Sequence, residues 1–351
     1  MSVVIASYQH AAYVGEAIDS VLAQRWQDFE IVITDDGSTD GTPDVIRGFR
    51  DPRIALEVLP ANRGACIALN RGVRRARGEL IAILNSDDAF EADKLAVQVR
   101  FLEANPSIGA VFTRPQFVDE HGAPFTDATH KDYSVFDVEN RDRFAWLRQF
   151  FDAGNCLCHP TLMIRRSCYD AVGLYDARLA QVPDLDMWIR LVSRFEIHVL
   201  AERLTRFRIR AAAMNASGGR PQVIRRDAWE RQRVLEHYLK LDADTLARAF
   251  PEDAREPRPP AHWLAERALA RGTPFHFAFG LETLFRALAP DFDDEAYSRF
   301  IELTGRHDPF GIHRPRSASG EEQARAQGEA GRGSSTLGQL ARRLGLRRGA
   351  A

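Results

Sequence analysis

The residues of this chain best equipped for chemistry are two doubled carboxylates and one later acidic pair. Asp35-Asp36 open the run Asp-Asp-Gly-Ser-Thr-Asp-Gly, Asp87-Asp88 follow Asn85-Ser86, and Asp184 stands two positions before Asp186. Carboxylate oxygens are the ligands that hard divalent cations prefer, and an ion held this way neutralises charge growing on a departing phosphate oxygen. Two adjacent aspartates could also divide the work, one on the ion and one on a ribose hydroxyl. Taken alone, an Asp-Asp pair in a loop is more often a solvated turn or helix cap. Residue type alone leaves both readings open.

The elements around these carboxylates decide how far they act together. Ser2 to Ser7 and Phe29 to Thr34 are short apolar runs that read as buried strands. Between them Tyr13, Val14, Ala17, Ile18, Val21 and Leu22 recur at helical spacing. Thr42 reads as a helix N-cap with Pro43 at the first helical position. Ile54 to Leu59 and Leu80 to Leu84 are the third and fourth strands, with a helix through Ile67, Leu69, Val73 and Ala76 between them. Leu95, Val99 and Leu102 mark another helix and Ala110 to Phe112 another strand. This alternation predicts an α/β fold with a mostly parallel sheet covered by helices. Ligands of such sheets sit beyond the carboxyl ends of the strands, which is where both aspartate pairs fall. From about Arg114 to Asn155 periodicity is poor, and the reading is a long excursion from the sheet. His159 to Ile164 then reads as a strand and Met187 to Val192 as a helix.

Composition narrows the classes. Lys plus Arg number 47 against 49 Asp plus Glu, so no global field recruits nucleic acid and any anion must be held locally. The four cysteines, Cys66, Cys156, Cys158 and Cys168, form no disulfide framework or zinc set and read as reduced, packed thiols. No leader-like segment opens the chain, and no stretch approaches the ~20 apolar residues that span a bilayer. A cytoplasmic protein is expected.

The strings themselves are more specific. Val3-Val4-Ile5-Ala6-Ser7-Tyr8, Asp28 through Thr42, Asn62-Arg63-Gly64, Asn70-Arg71-Gly72 and Gly78 through Asp88 closely resemble the family-2 glycosyltransferases. The resemblance resumes at His159-Pro160, at Val172-Gly173-Leu174-Tyr175-Asp176 and at Asp184 through Arg190, and covers roughly residues 1–215. It implies a GT-A fold: one domain whose first half binds a nucleotide and whose second half receives an acceptor. It also implies an inverting transfer from a nucleotide diphosphate sugar, with UDP as the expected nucleotide and Mn²⁺ or Mg²⁺ as the expected cofactor. By position Ala6 and Tyr8 would border the base, Asp36 would accept a hydrogen bond from it, and Asp87 would contact the ribose. Asp88 would ligate the metal, Arg63 would touch nucleotide or phosphate or else be a surface loop arginine, and Asp184 would be the catalytic base rather than decoration of the helix that follows. Asp186 reads as decoration of a helix N-terminus. By the same pattern His159 would lie near the acceptor cleft, with a structural histidine as the other reading. Three positions depart from the pattern: Pro183 replaces a common acidic residue, Asn85 a common Asp, and Arg210 a histidine that sometimes meets the metal. Arginine cannot ligate a metal, which leaves Arg210 as a diphosphate contact or a surface residue.

Beyond this domain, residues 216–312 read as a helix-rich extension and 313–335 as a disordered linker. Residues 336–351 form a basic tail in which Leu337, Leu340, Ala341 and Leu344 fall at helical spacing beside Arg342, Arg343, Arg347 and Arg348. Such a helix can rest on the anionic inner face of a membrane and meet a lipid-linked or glycan acceptor there; a frayed, solvated tail is the other reading. Polysaccharide or glycoconjugate synthesis is the expected setting. Two other classes bear on the same sheet. A nucleotidyltransferase needs a Gly-rich basic loop after the first strand, and Ser7-Tyr8-Gln9-His10 is not one. A degenerate nucleotide-sugar-binding module would have no use for Asp184.

Overall fold

The computed structural model describes residues 1–127, 129–130, 133–210, 221–255, 258–287 and 302. Its chain forms two compact units, Met1–Ser217 and Gly218–Ala351. The linker at 313–335 and the tail at 336–351 lie outside the described residues.

The first unit is built on an eight-stranded sheet. Its strands are β1 (Ser2–Ser7), β2 (Glu30–Asp35), β3 (Ile54–Val58), β4 (Leu80–Asn85), β5 (Ala89–Phe90), β6 (Ile108–Val118), β7 (Met163–Arg165) and β8 (Glu196–Arg208). They lie in the order β3-β2-β1-β4-β7-β6-β8-β5. β3, β2, β1 and β4 run parallel, as do β6 and β8, while β7 and β5 pair antiparallel. In β1, Val3, Val4 and Ile5 are all fully buried, because both faces of the parallel half are covered. The pleat sorts them: Val3, Ile5, Ile31 and Ile33 face one core with Val14, Ala17, Ile18 and Val21 of α1 (Val14–Leu22). Ile46 of α2 (Thr42–Gly48) and Leu95, Val99 and Leu102 of α4 (Lys94–Ala104) complete that layer. Val4 points the other way, to α3 (Ala65–Arg75), where a Cβ at Gly72 would lie 2.5 Å from its methyl carbon. Only glycine lets α3 approach β1 that closely.

Three expectations change. The stretch from Arg114 to Asn155 is not all irregular. β6 continues to Val118, and α5 (Arg143–Asp152) buries Phe144, Trp146, Leu147, Phe150 and Phe151, with Asp142 capping the Ala145 N–H at 2.8 Å. His159–Thr161 is a single 3-10 turn before the short β7 rather than the start of a strand. Thr42 does not cap α2: Gly41 takes that place, and the Thr42 hydroxyl accepts the His10 N–H at 2.9 Å instead.

Two more helices finish the unit, α6 (Arg166–Val172) and α7 (Pro183–Val192). Pro183 occupies the first turn of α7, where a missing N–H costs nothing. The second unit contains α8 (Pro221–Leu235), α9 (Ala243–Ala249), α10 (Pro260–Arg271) and α11 (Pro274–Ala287). Ala265, Leu269 and Leu284 form its buried seam. All four cysteines are buried. Among the described residues no helix is long and apolar enough to cross a membrane.

Candidate active site

The loops after β1, β2 and β4 meet at one end of the parallel strands. Asp35 is buried and braces its own loop, accepting from the Ser7 hydroxyl at 2.7 Å and from the Ser38 amide at 2.8 Å. Asp36 is 2% exposed, and its two oxygens accept the Arg63 and Gly64 N–H groups at 2.7 and 2.8 Å. Directly after Asp36, Gly37 has φ +71°, and a Cβ there would lie 2.6 Å from the Ala61 carbonyl carbon. The β2 loop is thus clamped onto the 61–64 segment, which leaves the Arg63 residue exposed. Ala6 lies at the end of β1 opposite Thr34 and Asn85, and Tyr8 beyond it is exposed. An uncovered aromatic ring at a strand end offers a flat face to a base.

Asp87 and Asp88 follow β4. Asp88 is buried; its carboxylate accepts the Arg208 backbone N–H and the Asn85 side-chain N–H, both at 2.8 Å. Burial, reinforced by the charge of Asp87, holds this carboxyl well above its ordinary range. Asn85 therefore serves as a donor to Asp88. Arg208, at the end of β8, is also buried, and its guanidinium donates to the Asp87 carbonyl at 2.8 Å and pairs with Glu16 of α1. Asp87 keeps its carboxylate near two basic groups, with Oδ2 3.8 Å from both His10 Nε2 and Arg210 Nη1.

These residues fit a hard divalent cation. Asp88 offers oxygen donors beside a second carboxylate, the donor chemistry that such cations prefer. Among the described residues no group of three or more His, Cys, Asp or Glu side chains encloses an ion. Phosphates and water would have to complete the shell, as is usual for Mg²⁺. Arg210 occupies the position where a further ligand was in question, and it holds His10 at 2.8 Å.

A second group of residues surrounds Asp184, in the first turn of α7. Its Oδ2 accepts from the Asn155 side chain at 2.6 Å and its Oδ1 from the Leu185 N–H at 2.8 Å. Asp186 does different work: it pairs with Arg190 at 2.7 Å, and Arg190 also donates to the carbonyls of Val172, Gly173 and Leu174. This pins α7 to the loop that carries Tyr175. The Tyr175 hydroxyl meets His159 Nε2 at 2.9 Å, and its backbone is held from both sides by the Asn70 side chain. Burial pushes the His159 imidazole down to about 4, so it is neutral near pH 7.

The residues expected at the site are Ala6, Tyr8, Asp36, Arg63, Asp87, Asp88, Asp184, His159 and Arg210. The structure brings Asp87 together with Arg210, Asp36 with the backbone of Arg63, and ties His159 to Asp184's surroundings through Tyr175, whose hydroxyl is raised by burial first and then by Tyr169 and the Asp184 charge. His10, Asn155, Arg208 and Tyr175 carry contacts that no local pattern marks.

Residues 2–173 match the family described as Glycosyl transferase family 2. The putative teichuronic acid biosynthesis glycosyltransferase TuaG of Bacillus subtilis is 30% identical over 213 residues, covering 60% of this chain and 79% of that one. An uncharacterised glycosyltransferase of Methanocaldococcus jannaschii is 28% identical over 214 residues, 60% of this chain and 70% of its own. The crystal structure of S. aureus TarS 1-349 in complex with UDP-GlcNAc superposes with a TM-score of 0.56 at 18% identity, covering 87% of this chain and 80% of that one. That likeness establishes the α/β, GT-A type fold, and the sequence relatives establish the class of enzyme. The chain is a glycosyltransferase and belongs to glycosyl transferase family 2.

Proposed function

We propose that this enzyme moves a sugar, with inversion, from a UDP-sugar to an acceptor hydroxyl in the synthesis of a surface polysaccharide or glycoconjugate. The observation that carries the reading is the buried Asp88 carboxylate beside Asp87 at the end of β4. Two adjacent carboxylates, one of them buried, stand where a parallel sheet receives phosphates and supply the oxygen donors a divalent cation takes. A divalent cation bound there supplies positive charge to the departing diphosphate oxygen.

The chain's own residues then divide the remaining work. Tyr8 offers its ring to the base, and Asp36 and Asp87 face base and ribose, with Ala6 and Arg63 at the margin. Arg210 contacts the diphosphate. Asp184 accepts the acceptor hydroxyl's proton at Oδ1 or Oδ2 as that oxygen attacks the anomeric carbon from the side opposite the diphosphate. Asn155 fixes the carboxylate's rotation. His159, neutral and bonded to Tyr175, lines the acceptor side. The name of TuaG supports a glycan acceptor, and TarS, crystallised with UDP-GlcNAc, supports a UDP-sugar donor. The proposed setting is cytoplasmic, with the tail at 336–351 resting on the inner membrane face. A panel of nucleotide sugars with Mn²⁺ or Mg²⁺, scored by nucleotide release, tests the reading. Release from no UDP-sugar in the presence of either metal would overturn it.

A further inference from the structure

His10 lies in none of the roles above, yet the chain accepts backbone strain to place it. Gln9 adopts φ +54°, the left-handed region that is uncommon outside glycine. Its side chain accepts the Thr39 and Asp40 N–H groups at 3.0 and 3.1 Å, and its own N–H is held by the Ser38 hydroxyl at 2.9 Å. The next amide, that of His10, is fixed by the Thr42 hydroxyl. A strained residue held by its neighbours in this way points to a positioned side chain.

The imidazole bridges two loops. Its Nδ1 lies 2.8 Å from the Ser86 hydroxyl and its Nε2 lies 2.8 Å from Arg210 Nη1. Guanidinium only donates, so Nε2 must accept; in the neutral ring Nδ1 then carries the proton and donates to Ser86. Arg210 also lies over the Tyr13 ring, 5.5 Å from its centroid, while Asp87 is 3.8 Å away, beyond a close fork-like ion pair. We propose that His10 is a positioning residue that holds the Arg210 guanidinium off Asp87 and presents it to the diphosphate of the donor. A guanidinium carries five N–H donors in one plane, enough to keep its hold on the imidazole and grip phosphate oxygens. Without the imidazole, a long and flexible side chain this close to a carboxylate collapses onto it, neutralising the arginine and occupying the ribose-side oxygen at once.

This inference rests on the donor-site reading, and the test separates the two. UDP and UMP differ by one phosphate, so the ratio of their affinities, measured by calorimetry with Mn²⁺, isolates the diphosphate grip. His10→Phe keeps an aromatic ring without an acceptor, and is expected to lower the UDP-to-UMP ratio about tenfold. His10→Ala makes the same comparison without the ring. His10→Gln retains an acceptor and should recover most of the ratio. Arg210→Ala should lose it, and adding His10→Phe to that variant should lower it no further. An unchanged ratio in both the Phe and Ala variants, equal weakening of UDP and UMP, or additive losses in the double variant would each overturn the role of His10. Wild-type protein that binds UDP no better than UMP would remove the donor-site reading itself.

Discussion

Replacing Asp88 by Asn is expected to stabilise the cation-free protein while abolishing its response to divalent metal. The carboxylate is 2% exposed, and burial together with the charge of Asp87 holds it well above its ordinary range. Such a group binds its proton more tightly in the folded chain than in the unfolded one. Stability therefore falls as pH rises from the unfolded value, near 3.9, through the folded one. Above the folded value the wild-type chain without cation bears this cost in full. An amide at position 88 does not, and its partners adapt: its oxygen accepts the Arg208 N–H now 2.8 Å from the carboxylate, and the Asn85 amide reverses to accept from its nitrogen. Relief of this kind contributes about 1 kcal/mol, or about 2–4 °C in melting temperature for a unit of this size. The assay is calorimetric melting of both proteins in EDTA across pH. The gap should close as pH falls through the folded-state value, because the wild-type carboxyl then becomes neutral too. Mn²⁺ with UDP should raise the wild-type melting temperature and leave the variant's unchanged. A variant that melts below wild type at pH 7.5 in EDTA, or a gap insensitive to pH, would refute the reasoning.

Other predictions follow from the acceptor side and the chain end. Asp184→Asn should lower kcat at least ~10²-fold with UDP affinity near wild type, and NMR of the wild-type product should show an inverted anomeric centre; a retained one would sink the mechanism. His159 is held down to about 4 from an ordinary 6.5. The unfolded chain therefore takes up a proton first, and stability should decline as pH falls from about 6.5 toward 4. His159→Gln should flatten that part of the melting profile, and an identical slope would count against it. Arg190→Met removes the donor to three carbonyls and Asp186 and should cost about 2–4 kcal/mol in denaturant unfolding; a change under 1 kcal/mol would mean α7 is fixed by packing alone. Deleting residues 336–351 should leave transfer to a soluble acceptor intact and weaken binding to anionic vesicles at low salt. Equal vesicle binding by both proteins would dismiss the membrane role of the tail.

What the sequence by itself determined was local and repetitive. Short apolar runs specify β1, β2 and β4, since any strand buried on both faces must be apolar at every position. Their carboxyl ends place Asp36, Asp87 and Asp88 on one rim without further information. The Asp-Asp-Gly and Asn-Ser-Asp-Asp strings carried enough identity to suggest the family. α5 was legible in principle, through Asp142 and the spacing of Phe144, Leu147 and Phe151, but the arginines between them broke the apolar pattern. What only the tertiary structure decided is which distant groups meet. His10 and Arg210 are 200 positions apart, and their contact exists because β8 pairs with β6 and β5 and ends beside the β1 and β4 loops. Asn155 reaches Asp184 from an irregular segment with no periodicity to extrapolate. The raised value of Asp88 follows from its burial and from the charge of Asp87, against the pull of Arg208, a residue that strand alternation alone leaves on either face. Strand register and burial belong to the assembled sheet, and a linear string holds them only as the sum of many weak preferences.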